Sequence, residues 1–236
     1  MSERWQDEEN RGQGDGQSRG RSGSNSGEMI WQDRLRKMLQ NAEQDLPDGS
    51  LTAGYKADSQ QIVALLNRAL ASEWTSFLQY WHHYFMASDI HSAEVKDVFK
   101  EHAEDEYEHA RRFSERIQQL GGVPVNKPED IARLTPTPVE YGHDLHSMME
   151  EDLVGERQAI DFYNEIVRTC GFDDNVSRTL VESILEDEAE HADDFATLLY
   201  AYDGSTGKQI ESIHDELESL AQSRGRAPQA RTQRTA

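Results

Sequence analysis

The sequence predicts an all-α chain: a four-helix bundle with one long crossover, a short fifth helix and disordered tails. Three observations carry this expectation. Apolar residues recur at helical spacing through four helix-length segments between about Asp58 and Tyr202. Glycine follows the second, third and fourth of these segments, and prolines cluster only in the middle of the chain. Finally, the heptapeptide Glu-Asp-Glu-Tyr-Glu-His-Ala at Glu104 to Ala110 returns as Glu-Asp-Glu-Ala-Glu-His-Ala at Glu186 to Ala192, so one helical hairpin is written twice.

Taken in order, residues 1–57 are expected to be a mostly disordered extension. Up to about Glu28 the residues are Gly, Ser, Gln, Asn, Arg and acid, with Trp5 as the one aromatic, too little apolar surface to offset the entropy of ordering. Ile30, Trp31, Leu35, Met38 and Leu39 then suggest an accessory helix from Met29 to Leu46, stopped by Pro47. Residues 58–204 form the expected bundle. Its first helix runs from the cap candidates Asp58 and Ser59 to about Ala87, with the stripe Ile62, Leu66, Ala69, Glu73, Phe77, Tyr80, Tyr84. The second runs from about Ser92 to Gly121-Gly122, with Val95, Phe99, His102, Glu106, His109, Phe113, Ile117 on one face.

Pro124, Pro128, Pro136 and Pro138 rule out a long helix next and suit a crossover along the bundle. A third helix is expected from about Asp144 to Cys170 and a fourth from about Asp174 to Tyr202. Ile210, Ile213, Leu217 and Leu220 suggest a short helix over 205–222, and 223–236 is an Arg-rich tail expected to be disordered.

A formal net charge of −21 over 236 residues argues against a general binder of phosphate backbones and suits a protein that attracts cations. DNA is therefore not an expected partner. Cys170 is the single cysteine, which excludes an intramolecular disulfide and makes thiolate clusters a poor reading. No run of 18 apolar residues and no secretory leader is present, so a soluble, cytoplasmic protein without membrane contact is expected.

The Glu-x-x-His pattern occurs four times, so the motif alone decides little. Glu140-x-x-His143 falls in the crossover and Glu211-x-x-His214 on the late short helix; both read as accidental. The other two are singled out by register. Glu73 lies fourteen residues before Ala87, and Glu106 fourteen after Ser92; Glu156 lies fourteen before Cys170, and Glu188 fourteen after Asp174. At ~1.5 Å per residue each leg is about 21 Å, so each hairpin returns its second glutamate to the height of its first. Glu73, Glu106, His109, Glu156, Glu188 and His191 would thus meet inside the bundle. All six lie on apolar stripes, where uncompensated charge is costly and metal binding is a usual resolution. A Glu from each of two helices plus Glu-x-x-His from each of the other two is the donor set of dimetal carboxylate bundles.

With those residues assembled, the stretch from about Gln60 to Asp203 resembles bacterioferritin and the Dps-like branch of the ferritin-like diiron superfamily. The matching residues are Leu66-Asn67, Glu73, Tyr80, Asp105-Glu106-x-x-His109-Ala110, Asp152-Leu153-x-x-Glu156 and Asp187-Glu188-x-x-His191. The resemblance implies a ferroxidase that oxidises Fe(II) with O2 or H2O2 for iron storage or detoxification. Two iron ions would be held by Glu73 with His109 and by Glu156 with His191, with Glu106 and Glu188 bridging. It further implies that Asp105 and Asp187 orient His191 and His109, and that Tyr80 can serve as an electron donor. Tyr163 reads as a core aromatic with a hydrogen-bonded hydroxyl.

Two departures bear on cofactors. The haem-ligating methionine that follows the first bridging glutamate in bacterioferritin is Tyr107 here, so haem is not expected; Met86, Met148 and Met149 read as packing residues. Cys170 stands alone, where Dps-like relatives often carry a cysteine pair. The sequence leaves open manganese in place of iron, and with it a diiron or dimanganese peroxidase or catalase. A Dps-type DNA-protecting protein is a further alternative, motivated by the Arg224 to Arg234 tail. A homo-oligomer, in the extreme a cage, is expected, and its size is left open.

Overall fold

A computed structural model describes residues 23–88, 92–136 and 141–206 of the chain. The expected helix over 205–222, the Arg-rich tail, most of the N-terminal extension, Glu140 and the Glu211-x-x-His214 copy lie outside the described residues or nearly so. The described residues form helices, turns and loops, with no strand among them. They fall into two units, the first running to Pro47 with Thr52–Gly54, the second comprising Asp48–Leu51 and the chain from Tyr55 onward.

The first unit is built on helix α1, Gly23–Ala42. It starts six residues before the expected Met29: once a nucleus exists, each further residue adds a hydrogen bond, so polar Ser24 to Gly27 extend a helix they would not start. Asp33 pairs with Lys37 one turn on, at 3.4 Å.

The second unit contains α2 (Ser59–Met86), α3 (Ser92–Gln119), the short α4 (Pro128–Leu134), α5 (Leu145–Cys170) and α6 (Asn175–Thr206). The four long helices match the sequence-based elements to within a few residues because their ends carry strong chemistry. Asp58 caps α2, accepting from the amides of Gln60 and Gln61 at 3.0 and 3.1 Å. Asp144 and Ser147 form a reciprocal capping box at the start of α5. Gly171 ends α5 at φ 52°, a conformation that a side chain would penalise. The crossover is less irregular than expected, since Pro128 at the first turn of α4 supplies a φ ready for a helix and lacks only an amide that would be unpaired there anyway.

α2 packs mainly on α3, and α5 on α6, as two antiparallel hairpins. The apolar core is divided. Ile62, Leu66, Leu70, Phe113, Ile117, Tyr163, Ile166, Val181 and Ile184 form one buried cluster. Tyr80, Val95, Phe99, Met148, Met149 and Phe195 form the other. Along every long helix the break between the clusters falls at the residues aligned by the fourteen-residue legs, so a polar layer lies between two apolar ones. Met148 and Met149 are packing residues as expected, whereas Met86 is exposed at the end of α2. Cys170 is a small buried residue at a helix end, its thiol pushed up to about 11 by burial.

The end of the bundle from which the crossover starts is closed by buried Arg116. Its Nη2 reaches Asp174 at 2.8 Å and its Nε reaches Ser177 at 2.7 Å, while Tyr55 donates to the other Asp174 oxygen at 2.8 Å. Arg116→Ala would strand Asp174 in the interior. A loss of about 3–5 kcal/mol is expected, checked by denaturant unfolding.

Candidate metal centre

The polar layer brings together all six residues singled out by register. Glu73 from α2, Glu106 and His109 from α3, Glu156 from α5, and Glu188 and His191 from α6 are each at most 5% exposed. Their donor atoms form two overlapping groups, Glu73, Glu106, His109 and Glu188 in one and Glu106, Glu156, Glu188 and His191 in the other. Glu106 and Glu188 belong to both. His109 Nδ1 lies 3.5 Å from Glu73, 3.9 Å from Glu106 and 3.2 Å from Glu188. His191 Nδ1 lies 3.5 Å from Glu106 and 3.8 Å from both Glu156 and Glu188. Ligands each about 2.1 Å from a shared ion stand about 3–3.5 Å apart, so these separations leave room for an ion between the donors.

The polar bookkeeping of the site points the same way. Both inward Nδ1 atoms and one oxygen each of Glu73, Glu106 and Glu188 are buried and lack a hydrogen-bond partner among the described residues. Buried polar atoms are seldom left so, and a converging set of them fits a divalent cation, which satisfies several lone pairs at once. The outward faces of the rings are engaged instead. His109 Nε2 meets Asp187 at 3.1 Å and His191 Nε2 meets Asp105 at 3.4 Å, each carboxylate coming from the opposite hairpin. That contact holds the proton on Nε2 and leaves Nδ1 as the donor to metal.

Electrostatics show the strain of holding these groups without metal. Burial, then the charge of Glu188, drives the carboxyls of Glu106 and Glu156 well above the usual range. Burial also opposes ionisation of Glu188, but its close approach to Glu156 and to the His109 ring overrides that and keeps this carboxylate low. For His109 burial disfavours the charged ring, yet the Glu188 and Glu73 carboxylates lift it to about 11. Two divalent cations would replace these protons, their four charges matching four carboxylates.

The twofold character of the layer extends to two tyrosines. Tyr80 on α2 donates its hydroxyl to Glu156 on α5, and Tyr163 on α5 donates to Glu73 on α2. Tyr163 thus has the hydrogen-bonded hydroxyl expected of it, but its acceptor is a candidate ligand, which makes it the counterpart of Tyr80. The signal was available in the common seven-residue offset from Glu73 and Glu156. Two other groups had no such signal. Buried His83 meets Asp152 at 2.8 Å, with Gln79 on the second Asp152 oxygen at 2.9 Å, joining α2 to α5 one turn from the centre. His102 stacks on His191 at 3.9 Å and contacts Asp194 at 3.3 Å. Beside them lies a cleft of about 210 Å³ lined by Glu101, Asp105, Asp187, Glu190, Asp194 and the two rings, so that of the six candidate ligands it touches His191. Its acidity would concentrate cations at its mouth.

Helical hairpins that enclose a buried, duplicated carboxylate and imidazole layer define the class of dimetal-type four-helix bundles. The chain belongs to the ferritin-like domain family, whose profile matches residues 63–203. It is 32% identical over 149 residues to bacterioferritin of Rhodobacter capsulatus, covering 63% of this chain and 88% of that one. It is likewise 32% identical over 139 residues to a nutrient stress-induced DNA-binding protein of Synechococcus, covering 57% and 78%. Among solved structures, the bacterioferritin-related dodecameric thioferritin of Bacteroides fragilis superposes with a TM-score of 0.61 at 31% identity, over 66% of this chain and 92% of that one. Among the described residues no helix is long and apolar enough to cross a membrane.

Proposed function

We propose that the protein is a bacterioferritin-like ferroxidase, oxidising Fe(II) with O2 or H2O2 at an intrasubunit diiron centre. The observation that carries this reading is the sharing of Glu106 and Glu188 between two otherwise separate donor groups, which suits two adjacent ions that give up one electron each. Glu73 and His109 complete one ion's shell and Glu156 and His191 the other's. Four carboxylates favour the harder ferric product, and the imidazoles keep the ferrous substrate bound before oxidation. Asp105 and Asp187 fix the imidazole tautomers, while Tyr80 and Tyr163 hold the terminal carboxylates of Glu156 and Glu73 in place. Apolar layers above and below exclude water from the charged layer.

The product, Fe(III), would pass to a mineral if copies of the chain close into a cage, and a homo-oligomer is part of the proposal. Haem has no place in it: Tyr107, half exposed, stands after Glu106 where a methionine would be needed. The test is stopped-flow mixing of metal-free protein with two equivalents of Fe(II) and then O2 or H2O2. Rapid formation of ferric absorbance, faster than in buffer, is expected with one oxidant or both. Protein purified with manganese and active only in disproportionating peroxide would replace this reading with a dimanganese catalase.

Asp187→Asn tests the outer contact of His109. A loss of about 10–100-fold in metal affinity is expected, measured by Co(II) titration, with unfolding little changed because Asp187 is half exposed.

A further inference from the structure

The centre has an oxidisable neighbour that the ferroxidase reading leaves unused. Trp74 directly follows Glu73, and Tyr107 directly follows Glu106, so two candidate ligands are each joined covalently to an aromatic residue that points elsewhere. The two rings meet across α2 and α3 with centroids 6.0 Å apart. From there a ladder of edge contacts continues along the outer side of α2. Phe77 lies 6.0 Å from Trp74 and 6.1 Å from Tyr107, Trp81 lies 6.4 Å from Phe77, and Tyr84 lies 5.3 Å from Trp81. Separations of this size are ordinary aromatic contacts, and they place two indoles and two phenols in one packed chain that runs from the ligand helices to solvent.

The protonic setting of these side chains differs from that of Tyr80 and Tyr163. Both inner tyrosines donate to candidate ligand carboxylates, so oxidising either would push a proton onto a carboxylate the metal needs. Trp74 Nε1 is buried and finds no acceptor among the described residues, so an oxidised Trp74 has nowhere to lose its proton and is poised to take an electron from a neighbour. Tyr107 is 52% exposed, and its phenolic proton can leave to water. The hole would therefore move outward and settle at Tyr107.

We propose that Trp74, Tyr107, Trp81 and Tyr84 form a relay that carries single oxidising equivalents away from the centre when a two-electron oxidant meets only one ferrous ion. The inference rests on the ferroxidase reading. With hydrogen peroxide the balance is complete: the O–O bond breaks, one electron comes from Fe(II) and one from Tyr107 by way of Trp74. The phenolic proton and one proton from solvent complete two waters, leaving Fe(III) and a neutral tyrosyl radical. Trp81 and Tyr84 extend the path to a second point on the surface, where an external one-electron reductant restores the chain.

The experiment loads metal-free protein anaerobically with one Fe(II) per chain, mixes it with hydrogen peroxide, and freezes samples for electron paramagnetic resonance. Ferric absorbance is read on the same mixtures. Wild type is expected to show a tyrosyl signal that narrows when tyrosine is ring-deuterated. Tyr107→Phe should lose that signal and Trp74→Phe should lose or delay it, both with iron oxidised as in wild type. Peptide mapping after repeated peroxide exposure should find oxygen added at Trp74, Trp81 or Tyr107. A radical that survives in Tyr107→Phe and disappears in Tyr80→Phe overturns the relay while leaving the ferroxidase intact, as does iron oxidation with no protein radical. Absence of iron oxidation in wild type removes the ferroxidase reading and the relay with it.

Discussion

Replacing Glu106 and Glu188 together by Gln is expected to abolish rapid iron oxidation while leaving helix content near wild type. Both residues serve both donor groups, so the pair of substitutions leaves each group with one carboxylate and one imidazole. Contacts one step removed from a metal already cost about 10–100-fold when lost, so loss of two shared ligands should exceed about a hundredfold in rate at limiting Fe(II). The fold should tolerate the change, because Gln keeps the volume of Glu and removes charge from a layer between two apolar clusters. Stopped-flow ferric absorbance and circular dichroism on the same samples check both halves. Wild-type rates in the double variant would mean that iron is oxidised elsewhere on the protein.

The second large effect concerns pH and metal together. Without metal, the carboxyls of Glu106 and Glu156 sit well above their ordinary value, through burial and then the charge of Glu188, and His109 sits at about 11. A group whose folded pKa is raised lends stability that is complete below its unfolded pKa and is lost as pH rises toward the folded one. For the two glutamates that loss begins above about 4.5, and for His109 above about 6.5. Burial, then His191, lowers His102 to about 4, which acts oppositely and removes stability as pH falls from about 6.5. Three groups oppose one, so metal-free protein should become less stable as pH rises from about 5 to about 8.

Metal reverses the sign, because it binds the deprotonated carboxylates and the free Nδ1 atoms. The gain in Tm on adding Zn(II) should therefore widen across that interval, and protons should be released on binding. Glu106→Gln should raise the Tm of metal-free protein near neutral pH, by about 2–4 °C per kcal/mol relieved, and remove most of the metal-dependent gain. A Tm gain that shrinks with rising pH would show that the buried carboxylates are not the metal's partners.

Much of this was written in the sequence, for identifiable reasons. Helix ends were legible where single residues carry the chemistry, as with Asp58, Asp144 and Gly171. The six donors were legible because the fold's own periodicity fixes their heights: a fourteen-residue leg up and another down is a geometric statement about which residues meet. The offset of Tyr163 from Glu156 repeats that of Tyr80 from Glu73, but only the crossing of the two hydroxyls to opposite hairpins shows its acceptor. The His83 to Asp152 contact joins residues 69 apart in sequence, and although Asp152 belongs to a motif His83 does not, so only packing reveals the pair. The same holds for His102 on His191 and for the contact of Trp74 with Tyr107, where ordinary-looking aromatics acquire meaning from what they touch.

The most direct test of the whole account is a count. Metal-free wild-type protein is titrated anaerobically with Co(II), followed by its d–d absorbance, and then with Fe(II) followed by ferric absorbance after each addition of O2. Two overlapping donor groups with two shared carboxylates require both titrations to break at two ions per chain, and require both breaks to vanish in the Glu106→Gln and Glu188→Gln double variant. A break at one ion per chain, or a two-ion break that survives in that variant, would contradict a centre built from Glu73, Glu106, His109, Glu156, Glu188 and His191.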